Sequence, residues 1–337
     1  MIYPKFLKEN DCIGVPAPSA GAKDDKKINK FNNSKKLLEE HKYRLVLSEN
    51  LYKDENCRSA SAEIRGKEVN DMFSNKNIDF ILCASGGEFL VEMLPFVNFD
   101  LLKENPKFVA GFSDPTGLLY TITTKYDIAT IYGNNFSSLG MDKLHKTQED
   151  FLEIIKGNIV EQESCDLYES EYQSKVTGTE YYNLTEPVYW KTLDGKEAHI
   201  EGRIIGGCFD LISELAGTKY DGINEFNEKY RDDGIIWAFD NCEITMEETI
   251  RTLWKFNELG YFKYCKGVIF GRFGTDATNL EYTIQTCLVD SILSKLNIPV
   301  VYDADFSHKS PCLNIINGAI AKIDVRDGKG KISFELK

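Results

Sequence analysis

Short apolar runs alternate with charged, helix-spaced stretches through the first 140 or so residues. This alternation constrains the fold more than any other feature of the chain. Asp11–Pro18 reads as a strand ending in a loop, and Tyr43–Leu47, Ile78–Cys83, Lys107–Phe112 and Ile128–Tyr132 read as strands. Residues 24–41, 60–73, 88–95 and 99–103 between them carry helical spacing. Strands separated by helices pair in parallel, because each helix carries the chain back to start the next strand in the same direction. In open sheets of this kind, binding sites form beyond the C-terminal ends of the strands. Gly86-Gly87 follows the third strand and Ser113 follows the fourth, so both fall in that region.

Gly111-Phe112-Ser113-Asp114-Pro115-Thr116 is the motif with the clearest chemical content. Asp114 is expected to N-cap the next helix, with Pro115 at its first position. A serine on such a strand-to-helix corner has its hydroxyl pushed out of the backbone and fresh helix N–H groups beside it. That is the geometry of a nucleophile elbow with an adjacent oxyanion site.

The chain has 337 residues, enough for about two domains. It is 42% hydrophobic and 28% charged, so its core can be large without metal or disulfide support. The net charge of -13 argues against a nucleic-acid or anionic-membrane surface. There are nine cysteines, an odd number, and no pair has CxxC spacing. Cys83 and others sit inside apolar runs, which points to reduced, buried thiols and a reducing compartment. The start Met1-Ile2-Tyr3-Pro4-Lys5 lacks the apolar core of a signal peptide, and no 18-residue apolar run occurs. The cytoplasm is the expected location.

The expected organisation is an N-terminal α/β domain over 1–150, a linker and loop insertion over 151–196, and a C-terminal domain over 197–337. The stretch 161–196 is polar and acidic. Beyond it, Ile200–Gly207 reads as a strand ending in a tight turn at Gly206-Gly207. Gly234–Phe239 reads as a buried strand ending at Asp240, Met246–Leu259 as an amphipathic helix, Val268–Arg272 and Pro299–Asp303 as further strands. Residues 314–337 read as hairpins turning at Asp327-Gly328.

A catalytic serine needs a base, and the base needs an orienting acceptor. Of the four histidines, His41, His145 and His199 lie in charged stretches. His308 lies in the loop Asp303–Pro311 that leaves a strand. Asp240 at the tip of its apolar strand is either a cap for the helix that follows or a functional acid, and Glu243 is the competing acid. No HExxH motif or Cys/His ligand cluster occurs, so the expected chemistry uses no metal and no cofactor.

Taken together, GFSDPT at 111–116, GRIIGG at 202–207, FDNCE at 239–243 and DADFSH at 303–308 resemble the serine peptidases of the LD-carboxypeptidase and microcin-immunity type, peptidase family S66. The order and spacing hold across about 300 residues. The resemblance implies a flavodoxin-like parallel-sheet N-terminal domain, similar to that of class I glutamine amidotransferases, and a β-rich α+β C-terminal domain. It implies a triad spanning the two domains, with Ser113 as nucleophile, His308 as base and Asp240 where the family acid is usually Glu. It further implies backbone N–H oxyanion donors at Gly87 and Asp114, and a homodimer. Two departures stand out. Asp240 is one methylene shorter than Glu, and Ser85 precedes Gly86-Gly87 where the family often has Arg.

The implied substrates are murein tetrapeptide, losing its terminal D-Ala, or a peptidyl-nucleotide antibiotic of the microcin C type. The aromatics Tyr181, Tyr182, Tyr189 and Trp190 lie in the insertion, where members of the immunity type carry an aromatic that stacks on a nucleobase. Gly86, Trp190, Glu243 and Arg272 are the candidate substrate-binding residues, with Arg203 or Arg272 available for the substrate carboxylate.

Three other classes compete. An α/β-hydrolase shares the order Ser, acid, His, but requires Gly where Pro115 stands. An amidotransferase-like enzyme would use Cys83, which lies within an apolar run rather than at its exposed end. A non-catalytic peptide binder could carry the Asp240 substitution.

Overall fold

The computed structural model describes residues 1–171 and 175–337. It divides into two compact units, Met1–Ile159 with 173–182, and 160–172 with Asn183–Lys337. Among the described residues no helix is long and apolar enough to cross a membrane, and no disulfide occurs.

The first unit alternates strands β1 (Cys12–Val15), β2 (Arg44–Leu47), β3 (Phe80–Leu82), β4 (Phe108–Gly111) and β5 (Thr130–Tyr132) with helices α1 (Asp25–Glu40), α2 (Ala62–Ser74), α3 (Asp100–Glu104), α4 (Thr116–Tyr126) and α5 (Lys146–Ile154). All four strand pairings are parallel, in the order β2-β1-β3-β4-β5. This is the flavodoxin-like order. β1, β3, β4 and β5 are buried along their whole length, which is why their sequences are continuous apolar runs rather than alternating ones.

The helices start where the sequence supplies caps. Asp24 accepts the Lys27 N–H at the start of α1, and Ser61 accepts that of Ile64 at the start of α2. α2 ends on an unusual partner. Lys107, only 2% exposed, donates from Nζ to the carbonyl oxygens of Met72, Phe73 and Asn75 at 2.7–2.9 Å. A buried ammonium here satisfies carbonyls that the helix leaves without donors.

The second unit contains β6 (Gln162–Glu163), β7 (Leu167–Tyr168), β8 (Glu186–Pro187), β9 (Lys191–Thr192), β10 (Ala198–Cys208), β11 (Ile235–Asp240), β12 (Cys265–Gly271), β13 (Val300–Ala304), β14 (Ile315–Asn317), β15 (Ile320–Arg326) and β16 (Lys329–Glu335). Its helices are α6 (Phe209–Leu215), α7 (Ile223–Lys229), α8 (Met246–Glu258) and α9 (Ile284–Asp290). Eight strands form one sheet in the order β6-β16-β15-β10-β11-β12-β13-β9. Its centre, β10 to β13, is parallel, and antiparallel strands extend it on both sides. Stacked rings of Trp237, Phe256 and Tyr261 fill part of the core beside β11.

Two expectations change here. No turn occurs at Gly206-Gly207: β10 runs through both glycines to Cys208, in parallel register with Ala238, Phe239 and Asp240. A Cβ at Gly206 would strike the Ala238 backbone, so this glycine serves close strand approach. The stretch 161–196 is not a single linker. β6 and β9 are opposite edges of the second unit's sheet, whereas Thr177, Thr179 and Tyr182 bond to Asn29, Asp142 and Gln148 of the first unit. Residues 172–174 of that stretch lie outside the described residues.

Candidate active site

Each unit carries one half of the expected chemistry, and each half is built by its own strand ends. In the first unit, β4 ends at Gly111 and α4 starts at Thr116. Ser113 sits between them with φ 68°. A left-handed backbone costs a non-glycine residue about 1–2 kcal/mol, so the surroundings must hold it. Asn135 does so from one side: its Oδ1 accepts the Phe112 N–H and its Nδ2 donates to the Phe112 carbonyl, both at 2.9 Å. The Thr116 N–H closes the corner onto the Ser113 carbonyl at 2.9 Å.

Asp114 does not cap α4 as its position suggests. Pro115 occupies the N-cap, and the Asp114 carboxylate turns inward, fully buried. Its Oδ2 accepts the Ser19 hydroxyl and, at 2.9 Å, the Leu90 N–H. Asp114 therefore ties the elbow to the loops after β1 and β3. Burial raises its pKa above the usual carboxylate value, against those two hydrogen bonds.

The loop after β3 brings Gly86 beside the elbow. A Cβ at Gly86 would lie 3.0 Å from Ser113 Cβ and 3.2 Å from its Oγ. Gly87 lies against Ser19 and Ala20, and Ser85 donates to the Ala20 carbonyl at 2.6 Å. Among the described residues, neither the Gly87 nor the Asp114 amide has a hydrogen-bond partner. Cys83 is buried, and burial together with the charge of Asp114 pushes its thiol up to about 12, which removes it as a nucleophile.

In the second unit, Asp240 ends β11 and is 1% exposed. It is not a cap for α8, whose N-terminus is held by Thr245 and Glu248 in a capping box. Its Oδ1 instead accepts the Nδ1–H of His308 at 2.9 Å and the His308 backbone N–H at 3.1 Å. Glu243 is exposed, and its N–H is bound by Asp210. Burial disfavours the charged imidazole of His308. The Asp240 carboxylate and hydrogen bonds to Asp240 and Cys242 outweigh that, and hold the ring's pKa well above the ordinary histidine value.

The loop carrying His308 hangs on a buried brace. Arg272 NH1 donates to Asp305 Oδ1 at 2.5 Å, and its NH2 donates to the carbonyls of Lys309 and Pro311 at 2.9 and 3.1 Å. Asp305 Oδ2 accepts Trp190 Nε1 at 2.8 Å and the Cys165 N–H at 3.0 Å. Arg272 and Trp190 are thus part of the loop's foundation. With 4% and 2% exposure, neither offers a face to a substrate carboxylate or nucleobase. Arg203 is likewise committed, to Asp233 at 2.6 Å and to the face of Tyr230. In the insertion, Tyr181 and Tyr182 pack against His145 in the first unit. His145 itself N-caps α5, and His199 pairs with Asp324 at 2.7 Å.

Sequence reasoning did not single out Asp210, Asp305 or Ser19. Asp305 and Ser19 lie within loops already marked, next to His308 and after Pro16-Ala17-Pro18. Asp210 is an acidic residue in the first turn of α6. No local pattern showed which distant loop each would reach. Among the described residues no group of three or more His, Cys, Asp or Glu side chains is placed to hold a metal ion.

The LD-carboxypeptidase N-terminal domain matches residues 13–133, and the LD-carboxypeptidase C-terminal domain matches residues 201–323. The chain belongs to peptidase family S66, the LD-carboxypeptidase family. Within it, the chain is 26% identical over 331 residues to the microcin C7 self-immunity protein MccF of Escherichia coli, covering 94% of this chain and 92% of that protein. The crystal structure of an MccF-like protein from Bacillus anthracis str. Ames superimposes with TM-score 0.83 at 25% identity, over 100% of both chains. A muramoyltetrapeptide carboxypeptidase from Oxalobacter formigenes shares the fold, with TM-score 0.73 at 19% identity over 96% of this chain and 98% of that one. The family is one of peptidases; one of these relatives is named for self-immunity to microcin C7 and another for muramoyltetrapeptide carboxypeptidase activity.

Proposed function

We propose that this S66 member is a serine peptidase of the LD-carboxypeptidase type, removing the terminal D-Ala of murein tetrapeptide through an acyl-enzyme. His308 takes the Ser113 proton as Oγ attacks the amide carbonyl carbon. The Gly87 and Asp114 N–H groups donate to the oxyanion. Collapse of the tetrahedral intermediate breaks the C–N bond, and His308 gives its proton to the departing D-Ala amine. Water, deprotonated by His308, then hydrolyses the ester and restores Ser113. Asp240 fixes the imidazole tautomer throughout.

The observation that carries this reading is the left-handed Ser113, held on the corner between β4 and α4. The Asp240–His308 pair supports it, because a base oriented by a buried carboxylate is what a serine nucleophile requires.

A second reading, hydrolysis of aminoacyl- or peptidyl-nucleotide antibiotics, is favoured by the end-to-end similarity to MccF. The burial of Trp190 takes away the stacking residue expected for it from the sequence.

The test is D-Ala release from murein tetrapeptide, run beside cleavage of aspartyl sulfamoyl adenosine, with wild type and Ser113→Ala. The proposal expects the first activity in wild type and its loss in the variant. Cleavage of the nucleoside alone moves the assignment to the second reading. A wild type inactive on both substrates favours the peptide-binder reading.

A further inference from the structure

Arg65, on α2, is fully buried, and its guanidinium forks between three acceptors. NH1 donates to the carbonyl oxygens of Pro18 and Phe89 at 2.9 and 3.0 Å, and NH2 donates to Glu92 Oε2 at 3.0 Å. Pro18 lies in the loop after β1 and Phe89 in the loop after β3. Asp114 takes the next residue in each loop, accepting the Ser19 hydroxyl and the Leu90 N–H. A cation from α2 and a carboxylate from the elbow thus join the same two loops at adjacent residues.

Arg65 is itself held in place. Glu92, in the 3₁₀ helix Leu90–Phe96, also accepts Arg58 Nε and NH2 at 2.7 and 2.5 Å. The Arg58 guanidinium lies 3.6 Å from the centre of the Phe89 ring. α2 comes close to this 3₁₀ helix, since a Cβ at Gly66 would sit 2.6 Å from Phe96 Cβ. A buried charge is costly unless it is paired and hydrogen-bonded, and a planar fork of fixed donors meets several acceptors as a flexible ammonium does not.

Gly86-Gly87-Glu88 runs between fixed points. Before it, the Ser85 hydroxyl donates to the Ala20 carbonyl at 2.6 Å. After it, Arg65 holds Phe89 and Asp114 holds Leu90. Gly86 lies against Ser113, and Gly87 against Ser19 and Ala20. The direction of the Gly87 N–H therefore depends on where the Phe89 carbonyl is held.

We propose that Arg65 is a positioning residue: by drawing the Pro18 and Phe89 carbonyls onto one guanidinium, it sets the Gly86-Gly87 loop against Ser113 and aims the Gly87 N–H at the oxyanion. The inference rests on the proposed serine-peptidase chemistry and adds to it a residue that acts only through the loop.

The test pairs amide NMR of the full chain, with isotope-labelled glycines, with steady-state kinetics on whichever substrate the wild type cleaves. The variants are Arg65→Lys, which keeps the charge but loses the fork, and Glu92→Ala, which frees the guanidinium from its carboxylate. Lys107→Met is the control, because it removes another buried cation, at the other end of α2. In Arg65→Lys the Gly86 and Gly87 amide signals shift and exchange faster with solvent, while glycines elsewhere keep their wild-type values. kcat falls on the order of tenfold to a hundredfold with KM little changed, the loss expected when a reacting group is displaced by about an ångström. Glu92→Ala moves both readouts in the same direction by less, and it decides the matter if Arg65→Lys does not fold. Lys107→Met lowers the unfolding midpoint and moves neither. Loop amides or kcat unchanged in a folded Arg65→Lys overturns the inference, as does a loss carried by KM, or an equal fall of kcat in Lys107→Met. A wild type without activity ends the peptidase reading instead, and the amide signals alone then decide whether Arg65 sets the loop.

Discussion

One oxygen of Asp240 accepts both the ring Nδ1–H and the backbone N–H of His308, at 2.9 and 3.1 Å. The second bond draws the His308 backbone onto the end of β11. That closeness fits the proposed role of an aspartate at a position where the family resemblance implies glutamate. The shorter side chain reaches the imidazole because the loop comes to it, braced from below by Arg272 and Asp305. A longer side chain would carry the carboxylate past the point where both N–H groups now meet one oxygen. Asp240→Glu is expected to lower activity despite restoring the family residue, and Asp240→Asn to lower kcat by roughly 10³–10⁴-fold through the wrong tautomer. Glu243→Ala is expected to stay within a few-fold of wild type. A larger loss in Glu243→Ala than in Asp240→Ala, measured as kcat on the same substrate, would transfer the acid's role.

The raised pKa of His308 sets a pH dependence. A general base works only when neutral, so kcat/KM should rise with pH through an apparent pKa above the ordinary histidine value of about 6.5. Asp240→Asn should move that limb to lower pH while depressing the plateau. The same group contributes to stability with the opposite slope. The folded state favours the imidazolium, so this contribution is complete below the unfolded pKa and fades as pH rises through the folded one. A pH–rate profile with its limb below 6 would contradict the assignment.

Gly86 is expected to be intolerant of a side chain for a reason confined to the elbow. Its Cβ would sit 3.0 Å from Ser113 Cβ, tight enough that Ser113 must shift by a few tenths of an ångström. Gly86→Ala should therefore lower kcat by at least tenfold while leaving thermal unfolding nearly unchanged. Steady-state kinetics beside a melting curve checks both halves. A variant with wild-type kcat would show that the elbow has slack.

Trp190 is expected to matter to stability alone. Trp190→Phe removes the indole donor to Asp305 and leaves a buried carboxylate oxygen short of a partner, at a cost of about 1–3 kcal/mol. Denaturant unfolding should report that loss. The ratio of activities on murein tetrapeptide and aspartyl sulfamoyl adenosine should not change. A selective loss on the nucleoside would return Trp190 to the binding surface.

Lys107 provides a test far from the site. Burial pushes its pKa down to about 8, whereas the unfolded chain holds the proton to about 10.4. Between those values the unfolded state binds more protons, so stability from this group rises with pH, by no more than about 3 kcal/mol in all. The difference in unfolding free energy between wild type and Lys107→Met, followed from pH 7.5 to 9.5, should grow in favour of wild type. A flat difference would contradict it.

The N-terminal sheet was legible because β1, β3, β4 and β5 are buried throughout, so each stands out as an unbroken apolar run. Ser113 was legible as a residue just beyond such a run, and His308 as a residue of the loop leaving a later strand. What stayed hidden depends on contacts between distant segments. The spacing around Asp114 suggests a cap for its own helix, but the carboxylate reaches Leu90 and Ser19 instead. Gly206-Gly207 has the composition of a turn, and only its register with Ala238 and Phe239 makes it strand. β6 and β9 are two residues each, too short to carry any periodicity, and exist because the sheet edges offer unpaired backbone groups. Trp190 and Arg272 have side chains typical of ligand sites. Their burial around Asp305 follows from long-range packing that no local pattern encodes.

The central claim is that Ser113 and His308 act as one chemical unit, and a double-mutant cycle measures that directly. With kcat/KM determined for Ser113→Ala, His308→Ala and the pair, the account predicts that each single change falls to a common low background and that the double falls no further. Losses that multiply would mean two residues working independently. Either single variant retaining near-wild-type turnover would contradict the account outright.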